Sequence, residues 1–139
     1  MEIHPVLVHF PLVLLPLSVA IDLAAIWRGR AEWHPLSYAI LVASALFAVG
    51  AVVSGNAAAA NYRSDGSLAP FIERHEDWGT ASLVLLLINA LGRLPFQLQG
   101  RAPTPWVVVA VGTSVILWIA AYYGGELVYD HGVGIELTR

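Results

Sequence analysis

The residues most able to do chemistry are five histidines, and two of them open the chain in the stretch His4-Pro5-Val6-Leu7-Val8-His9-Phe10-Pro11. They stand at the start of a long apolar run, where a side chain that binds metal or protons is costly and is a functional candidate. In an ideal helix, positions five residues apart point about 140° away from each other, so His4 and His9 do not chelate one ion as a pair. A partner for either ring must therefore come from another helix.

Composition restricts the kinds of chemistry that are open to this chain. It has 139 residues, 58% of them hydrophobic and only 12% charged, which is typical of a membrane protein. The absence of cysteine excludes iron–sulfur clusters, thiolate-ligated haem and c-type haem, and the absence of lysine excludes Schiff-base chemistry. The net charge of -3 argues against nucleic acid as a partner. No GxSxG, HExxH or GxGxxG motif indicates a soluble enzyme, so an electron carrier or subunit is favoured over an independent enzyme.

Four apolar segments predict an all-α, integral membrane four-helix bundle that forms a single domain over residues 1–139. The predicted helices cover about 5–28, 36–60, 71–94 and 104–124, since a spanning helix needs roughly 20 residues. The uncharged run of the third segment, residues 78–92, is too short to span and must borrow a turn or two before it. We therefore expect His75 to lie on the third helix, near its start, facing protein. Gly124 and Gly125 are expected to end the fourth helix.

The arginines give the orientation by a thin margin. The first and third loops are expected to be cytoplasmic because together they carry four arginines, against three in the second loop and the tail. Both termini then lie outside, as do four of the five histidines, and His34 lies inside. The arginines on the two sides are Arg28, Arg30, Arg93 and Arg101, against Arg63, Arg74 and Arg139.

Several polar or small residues within the helices have structural interpretations beside functional ones. Asp22 is expected to pair with Arg28, Arg93 or the start of helix two, and a role in a proton path stays open. Asn89 is expected to donate a hydrogen bond between helices. Small residues on helix two predict close helix packing, or alternatively room for a flat cofactor; they form the ridges Gly50/Ser54/Ala58 and Ala51/Gly55/Ala59.

Two imidazoles at matched depth on different helices predict a b-type haem with two histidine ligands, held near the outer face of the bundle. The favoured axial and metal ligands are His9 and His75. His4 and His131 come next, as alternative ligands, a second site or contacts to the haem propionates, and two arginines on the same side, Arg63 and Arg74, are candidate propionate partners. A copper or zinc site built from the same histidines is the first alternative. The second is a structural accessory subunit of a larger respiratory or photosynthetic complex.

Both ends of the chain resemble a family of small bacterial four-helix membrane proteins of unknown function. The resemblance rests on the opening His4–Pro11 stretch, on the closing Gly124-Gly125-Glu126-Leu127-Val128-Tyr129-Asp130-His131-Gly132-Val133-Gly134, and more weakly on His75-Glu76-Asp77-Trp78-Gly79. It implies an integral membrane domain of the bacterial inner membrane, sometimes joined to Rieske or cytochrome modules. That association favours a redox role, with the lipid bilayer as environment and a redox protein as partner on the outer face.

Overall fold

The computed structural model describes residues 3–62 and 64–135, and four long helices account for most of them. The helices are α1 (His4–Arg28), α2 (His34–Ala59), α3 (Ala69–Leu98) and α4 (Thr104–Tyr129), and a 3-10 turn at Ala31–Trp33 joins the first two. All four helices are long and apolar enough to cross a membrane. This confirms the predicted all-α architecture.

Each helix begins with the same device, a proline as its second residue: Pro5, Pro35, Pro70 and Pro105. Proline suits the first turn because that turn leaves its backbone N–H groups without helical partners. Glycines with positive φ follow α1 and α3, namely Gly29 at 62° and Gly100 at 63°. In both cases the next amide donates to a carbonyl five residues back, which satisfies the end of the helix.

The end of α4 differs from the sequence-based expectation. Gly124 and Gly125 lie inside this helix, which continues to Tyr129. Packing explains the extension, since Leu127 is buried and Gly124 lies directly against the ring of His75. Further glycines with positive φ come later in the chain, at Gly132 and Gly134. The third helix also extends beyond its expected end, through Pro95 to Leu98.

The helices form an up-and-down bundle in which α1 packs on α2 and α3 on α4, with contacts between α2 and α3 and between α1 and α4 closing the ring. We call the end that holds the starts of α1 and α3 the terminal end. The opposite end, which holds the connections 29–33 and 99–103, is the hairpin end.

The core between the helices is small, and the outer surface is strongly apolar. Exposed fractions of 69% for Leu46, 70% for Leu91 and 71% for Val108 show large aliphatic side chains pointing away from the protein. Such a surface suits a lipid environment, where helices satisfy their own backbone hydrogen bonds. The core side chains are Leu15, Val19, Leu41, Ala45, Ala48, Leu86, Ala90 and Ala110.

The two hairpins repeat one another in sequence and in contacts. Residues 4–30 correspond to residues 75–101 at a constant offset, which aligns His4 with His75 and Gly29-Arg30 with Gly100-Arg101. The sequence Leu-Val-Leu-Leu occurs at aligned positions, 12–15 and 83–86. The second helices of the two hairpins align at a slightly shorter offset, which pairs Gly55 with Gly124.

Equivalent hydrogen bonds support this alignment. The hydroxyl of Ser18 donates to the carbonyl of Ser37 at 2.9 Å, and the amide of Asn89 donates to the carbonyl of Trp106 at 2.9 Å. Ser18 aligns with Asn89, and Ser37 with Trp106. The second of these bonds also confirms the interhelical donor role expected for Asn89. The two hairpins of the bundle therefore resemble one another in sequence and in these contacts.

Candidate functional site

Two histidine rings meet at the terminal end of the bundle. The ring centroids of His4 and His75 are 6.0 Å apart, and the ring planes are inclined at 79°. His4 is the first residue of α1, and His75 lies in the second turn of α3, on the helix and facing the bundle as expected. Because the two residues occupy equivalent positions in the two hairpins, the repeat itself brings them together.

Backbone carbonyls fix the orientation of both rings. Nδ1 of His4 donates to the carbonyl of Ala51 in α2 at 2.7 Å, and Nδ1 of His75 donates to the carbonyl of Ala120 in α4 at 3.0 Å. A carbonyl can only accept, so Nδ1 carries the proton and Nε2 of each neutral ring keeps a lone pair. This second hydrogen bond is the one that metal-ligating histidines make in proteins.

A glycine one turn beyond each carbonyl makes room for each ring. A Cβ atom on Gly55 would lie 2.8 Å from Cε1 of His4, and one on Gly124 would lie 2.9 Å from Cε1 of His75. The small residues of α2 thus allow close helix packing, and the space beside Gly55 holds the His4 ring. Each imidazole is held between a carbonyl and a glycine on the neighbouring helix of its own hairpin.

His9, the favoured ligand in the sequence analysis, lies elsewhere. It is exposed, and its Nδ1 donates to the carbonyl of Pro5 in its own helix. This placement agrees with the 140° separation expected on the helical wheel, since His4 faces inward. The structure therefore brings His75 together with His4 and leaves His9 on the outside of α1.

Two further residues of the predicted site, His131 and Arg74, lie at the same end of the bundle. The ring of His131 contacts that of Phe71 with centroids 4.0 Å apart and planes inclined at 40°. Arg74 is exposed, and its guanidinium lies 5.3 Å from the centroid of the Tyr123 ring. Arg63 lies outside the described residues.

A second polar cluster occupies the hairpin end. Asp22 of α1 accepts a hydrogen bond from Nδ1 of His34 at 2.8 Å, and its other carboxylate oxygen lies 2.8 Å from Nη1 of Arg93 in α3. Two of the three partners expected for Asp22 are thus present, and the third, Arg28, lies instead beside a tryptophan ring at 5.8 Å. His34 is at the end opposite His4, as expected. Arg93 is buried within α3, so counting it as a loop arginine was wrong.

Metal coordination by the protein alone would require more ligands than this site offers. In residues 3–62 and 64–135, no group of three or more His, Cys, Asp or Glu side chains is placed to hold a metal ion. The ligand set at the terminal end is a pair of imidazoles whose Nε2 atoms make no hydrogen bond to another described residue. Such a pair fits a group that supplies its other metal ligands itself.

The spacing of apolar residues in α1 did not show whether His4 or His9 faces the bundle. A second feature of the sequence does distinguish the two histidines. The repeated Leu-Val-Leu-Leu at 12–15 and 83–86 sets the alignment of the hairpins, and that alignment pairs His75 with His4. The same alignment pairs Gly55 with Gly124. An internal comparison of the two halves would have selected the pair that the structure shows.

Comparison with known proteins places the chain in a family. Neither the curated proteins nor the solved structures include a match. A family model matches residues 1–137, nearly the entire length, which agrees with the resemblance seen in the terminal motifs. The chain belongs to the family described as "Predicted membrane protein (DUF2231)".

Proposed function

We propose that this membrane protein binds one b-type haem at the terminal end of its bundle and carries electrons, alone or as a redox subunit. The observation that carries the proposal is the pair His4 and His75, two imidazoles from different helices with Nδ1 tied to carbonyls and Nε2 free. Axial haem ligands in helical bundles have this character. His9, the ligand favoured by the sequence, stays the alternative partner of His75.

The separation of the two rings suits ligation of one metal from opposite sides. A metal–imidazole bond is about 2.0–2.1 Å long, so two such bonds in line separate the ligating nitrogens by about 4 Å. Each ring centre lies further out than its nitrogen, so the observed 6.0 Å between centroids is compatible with this arrangement.

The number of ligands favours haem over copper or zinc. Protein zinc sites use three or four side-chain ligands. A haem iron has four porphyrin nitrogens and needs only two axial ligands from the protein. Two imidazoles from His4 and His75 therefore complete a haem, whereas they leave a bare ion incompletely coordinated.

Haem iron, when bound, would take up and release one electron. The chain's own residues would hold it: Nε2 of each histidine would ligate the iron, and the carbonyls of Ala51 and Ala120 fix the orientation of the two rings. Arg74, adjacent to His75 and at the same end, is a candidate partner for a propionate. The same role for Arg63 stays a prediction.

We place the protein in the bacterial inner membrane with both termini outside. Burial of Arg93 beside Asp22 removes it from the loop charges, which leaves three arginines on each side. Acidic residues support the orientation instead, because the negative potential of the cytoplasmic leaflet disfavours them there. Those at the terminal end are Glu73, Glu76, Asp77, Glu126 and Asp130. They also suit a basic redox partner on the outer face, within or outside a larger complex.

Absorption spectra of purified single-alanine variants test the ligands. His4→Ala and His75→Ala should each lose the low-spin haem spectrum, because one of two axial bonds is removed. His9→Ala, on the same helix as His4 but facing outward, is the matched control and should keep it, as should His34→Ala at the opposite end. Loss in His9→Ala with retention in His4→Ala would restore the pairing predicted from sequence.

The orientation of the two rings offers a second readout. If the two rings kept their inclination of 79° while both held the haem, the ferric protein would give the strongly anisotropic low-spin EPR signal of nearly perpendicular imidazoles. A rhombic signal typical of parallel imidazole planes would argue against this pair as it stands in the structure.

A further inference from the structure

The polar cluster at the hairpin end places charges where the membrane makes them costly. The exposed fractions of the side chains are 0% for Asp22, 1% for Arg93 and 7% for His34. Replacing a buried ion pair by apolar residues is often neutral or stabilising, so such a pair is weak as a stability device. Ionisable groups at this depth point to function.

The three side chains are arranged around the carboxylate of Asp22. One oxygen accepts the Nδ1–H of His34, and the other lies at ion-pair distance from Arg93 without an aligned hydrogen bond. Arg93 also donates to the hydroxyl of Ser37 at 3.4 Å and lies 5.8 Å from the centroid of the Tyr38 ring. The negative charge of Asp22 and the positive charge of Arg93 cancel each other. The cluster would therefore be electrically neutral without the imidazole of His34.

The hydrogen bond to Asp22 determines which nitrogen of the His34 ring can accept a proton. With Nδ1–H donated to a carboxylate, Nε2 of His34 is the acceptor atom of the ring. A proton taken up there would create an imidazolium whose charge is opposed at once by Asp22, 2.8 Å away. His34 is also the first residue of α2, and with 7% of its side chain exposed it is the member of the cluster with the most contact with solvent.

The internal repeat shows that this end has been specialised. Asp22 aligns with Arg93, and His34 aligns with Pro103. At the terminal end the aligned residues are identical histidines, whereas here they carry opposite charges or differ in kind. An ion pair between equivalent positions requires opposite charges, which accounts for Asp22 and Arg93, but it does not require a histidine at position 34.

We infer that Asp22, His34 and Arg93 form a proton-binding site in the bundle, with Nε2 of His34 as the atom that receives the proton from the hairpin end. The site stands apart from the haem proposal, since it lies at the other end of the helices and uses none of the same residues.

Other charged groups around the site are few and already partnered. Arg28 of α1 lies beside tryptophan rings, and Glu32 of the 3-10 turn pairs with Arg30 at 3.1 Å on the surface. Tyr38 of α2 donates to the carbonyl of Ala90 at 3.1 Å. On α4 no residue from 104 to 121 is ionisable. Arg101, in the connection between α3 and α4, donates to Gln99 at 3.4 Å on the surface. Asp22 is therefore the charged group that contacts His34, and Arg93 is the charged group that contacts Asp22.

Titration of the imidazoles by nitrogen NMR tests the site in the full chain, labelled with ¹⁵N-histidine and held in lipid nanodiscs. Among the rings that keep Nδ1 protonated and take up a proton at Nε2 as the pH falls, we expect one that belongs to His34. That signal should vanish in His34→Gln. In Asp22→Asn its proton affinity should fall tenfold or more, because a charge within hydrogen-bond distance is lost. Asp130→Asn, which removes an exposed carboxylate at the other end, should leave it unchanged.

Two outcomes would overturn the inference. The first is a His34 ring whose Nε2 takes up no proton as the pH falls, and the second is a titration that Asp22→Asn does not alter. If His34→Gln or Asp22→Asn does not fold, single glutamine variants of the other four histidines assign their rings, and the remaining ring is His34. A remaining ring that does not take up a proton at Nε2 with Nδ1 protonated would then refute the site.

Discussion

Gly124 offers a sensitive test of how the histidine pair is held. An alanine Cβ at this position would lie 2.9 Å from Cε1 and 3.3 Å from Nδ1 of His75, so the ring must move. Gly125 is its neighbour in the same helix, and a Cβ there would meet its nearest atom only at 4.0 Å. The two substitutions therefore differ in one respect, the collision with His75.

The size of the effect follows from three contributions. Replacing glycine by alanine inside a helix stabilises by about 0.8–1.0 kcal/mol, and this gain is common to both variants. Overpacking costs about 1–3 kcal/mol, and disturbing the hydrogen bond from His75 to Ala120 costs about 0.5–1.5 kcal/mol. Gly124→Ala should therefore be less stable than Gly125→Ala by about 1.5–4.5 kcal/mol, the sum of those two costs.

Unfolding in mixed micelles, followed by circular dichroism, measures this difference. Gly125→Ala should equal or exceed the unmodified protein, and Gly124→Ala should unfold more easily. Equal stability of the two variants would show that His75 does not occupy the space beside Gly124, and the reasoning about the site would fail.

Three further predictions concern packing, charge and topology. Gly92→Ala should destabilise strongly because its Cβ would lie 2.0 Å from the Trp106 ring, whereas Gly112→Ala enters open space; equal unfolding of the two would contradict this packing. Asp22→Asn and Arg93→Gln should each cost about 3–5 kcal/mol by leaving one buried charge unpaired, and the double variant should cost less than their sum; additive losses in unfolding experiments would refute the pairing. A reporter active only in the periplasm should be active when fused after residue 139, and activity of a cytoplasmic reporter there would invert the topology.

The sequence was sufficient for the helices because each segment is long, apolar and opened by a proline. The position of His75 on α3 could also be predicted, since the uncharged run of α3 is too short to span a membrane unless the helix starts earlier. The partners of Asp22 and the donor role of Asn89 followed because a polar group among apolar helices must find one of very few partners. These were consequences of the cost of unsatisfied polar groups in lipid.

The sequence did not show which face of α1 points into the bundle, because lipid-facing and core-facing residues are equally apolar. In a soluble helix, polar residues would have marked the outside and separated His4 from His9. The extension of α4 was missed for a related reason: glycine commonly ends helices in water. In this bundle Gly124 instead allows a ring to approach the backbone. Arg93 was counted with the third loop because it lies at the end of the uncharged run, although it was also among the partners expected for Asp22.

The central claim is tested most directly by the absorption spectrum of the unmodified protein, expressed with ample haem and purified in detergent. We predict one haem per chain, a Soret band that sharpens on reduction with dithionite, and the narrow visible bands of six-coordinate low-spin iron, because His4 and His75 supply both axial ligands. Protein that carries copper or zinc without a Soret band would contradict the haem proposal in favour of a metal site, and protein that carries neither would leave a structural role.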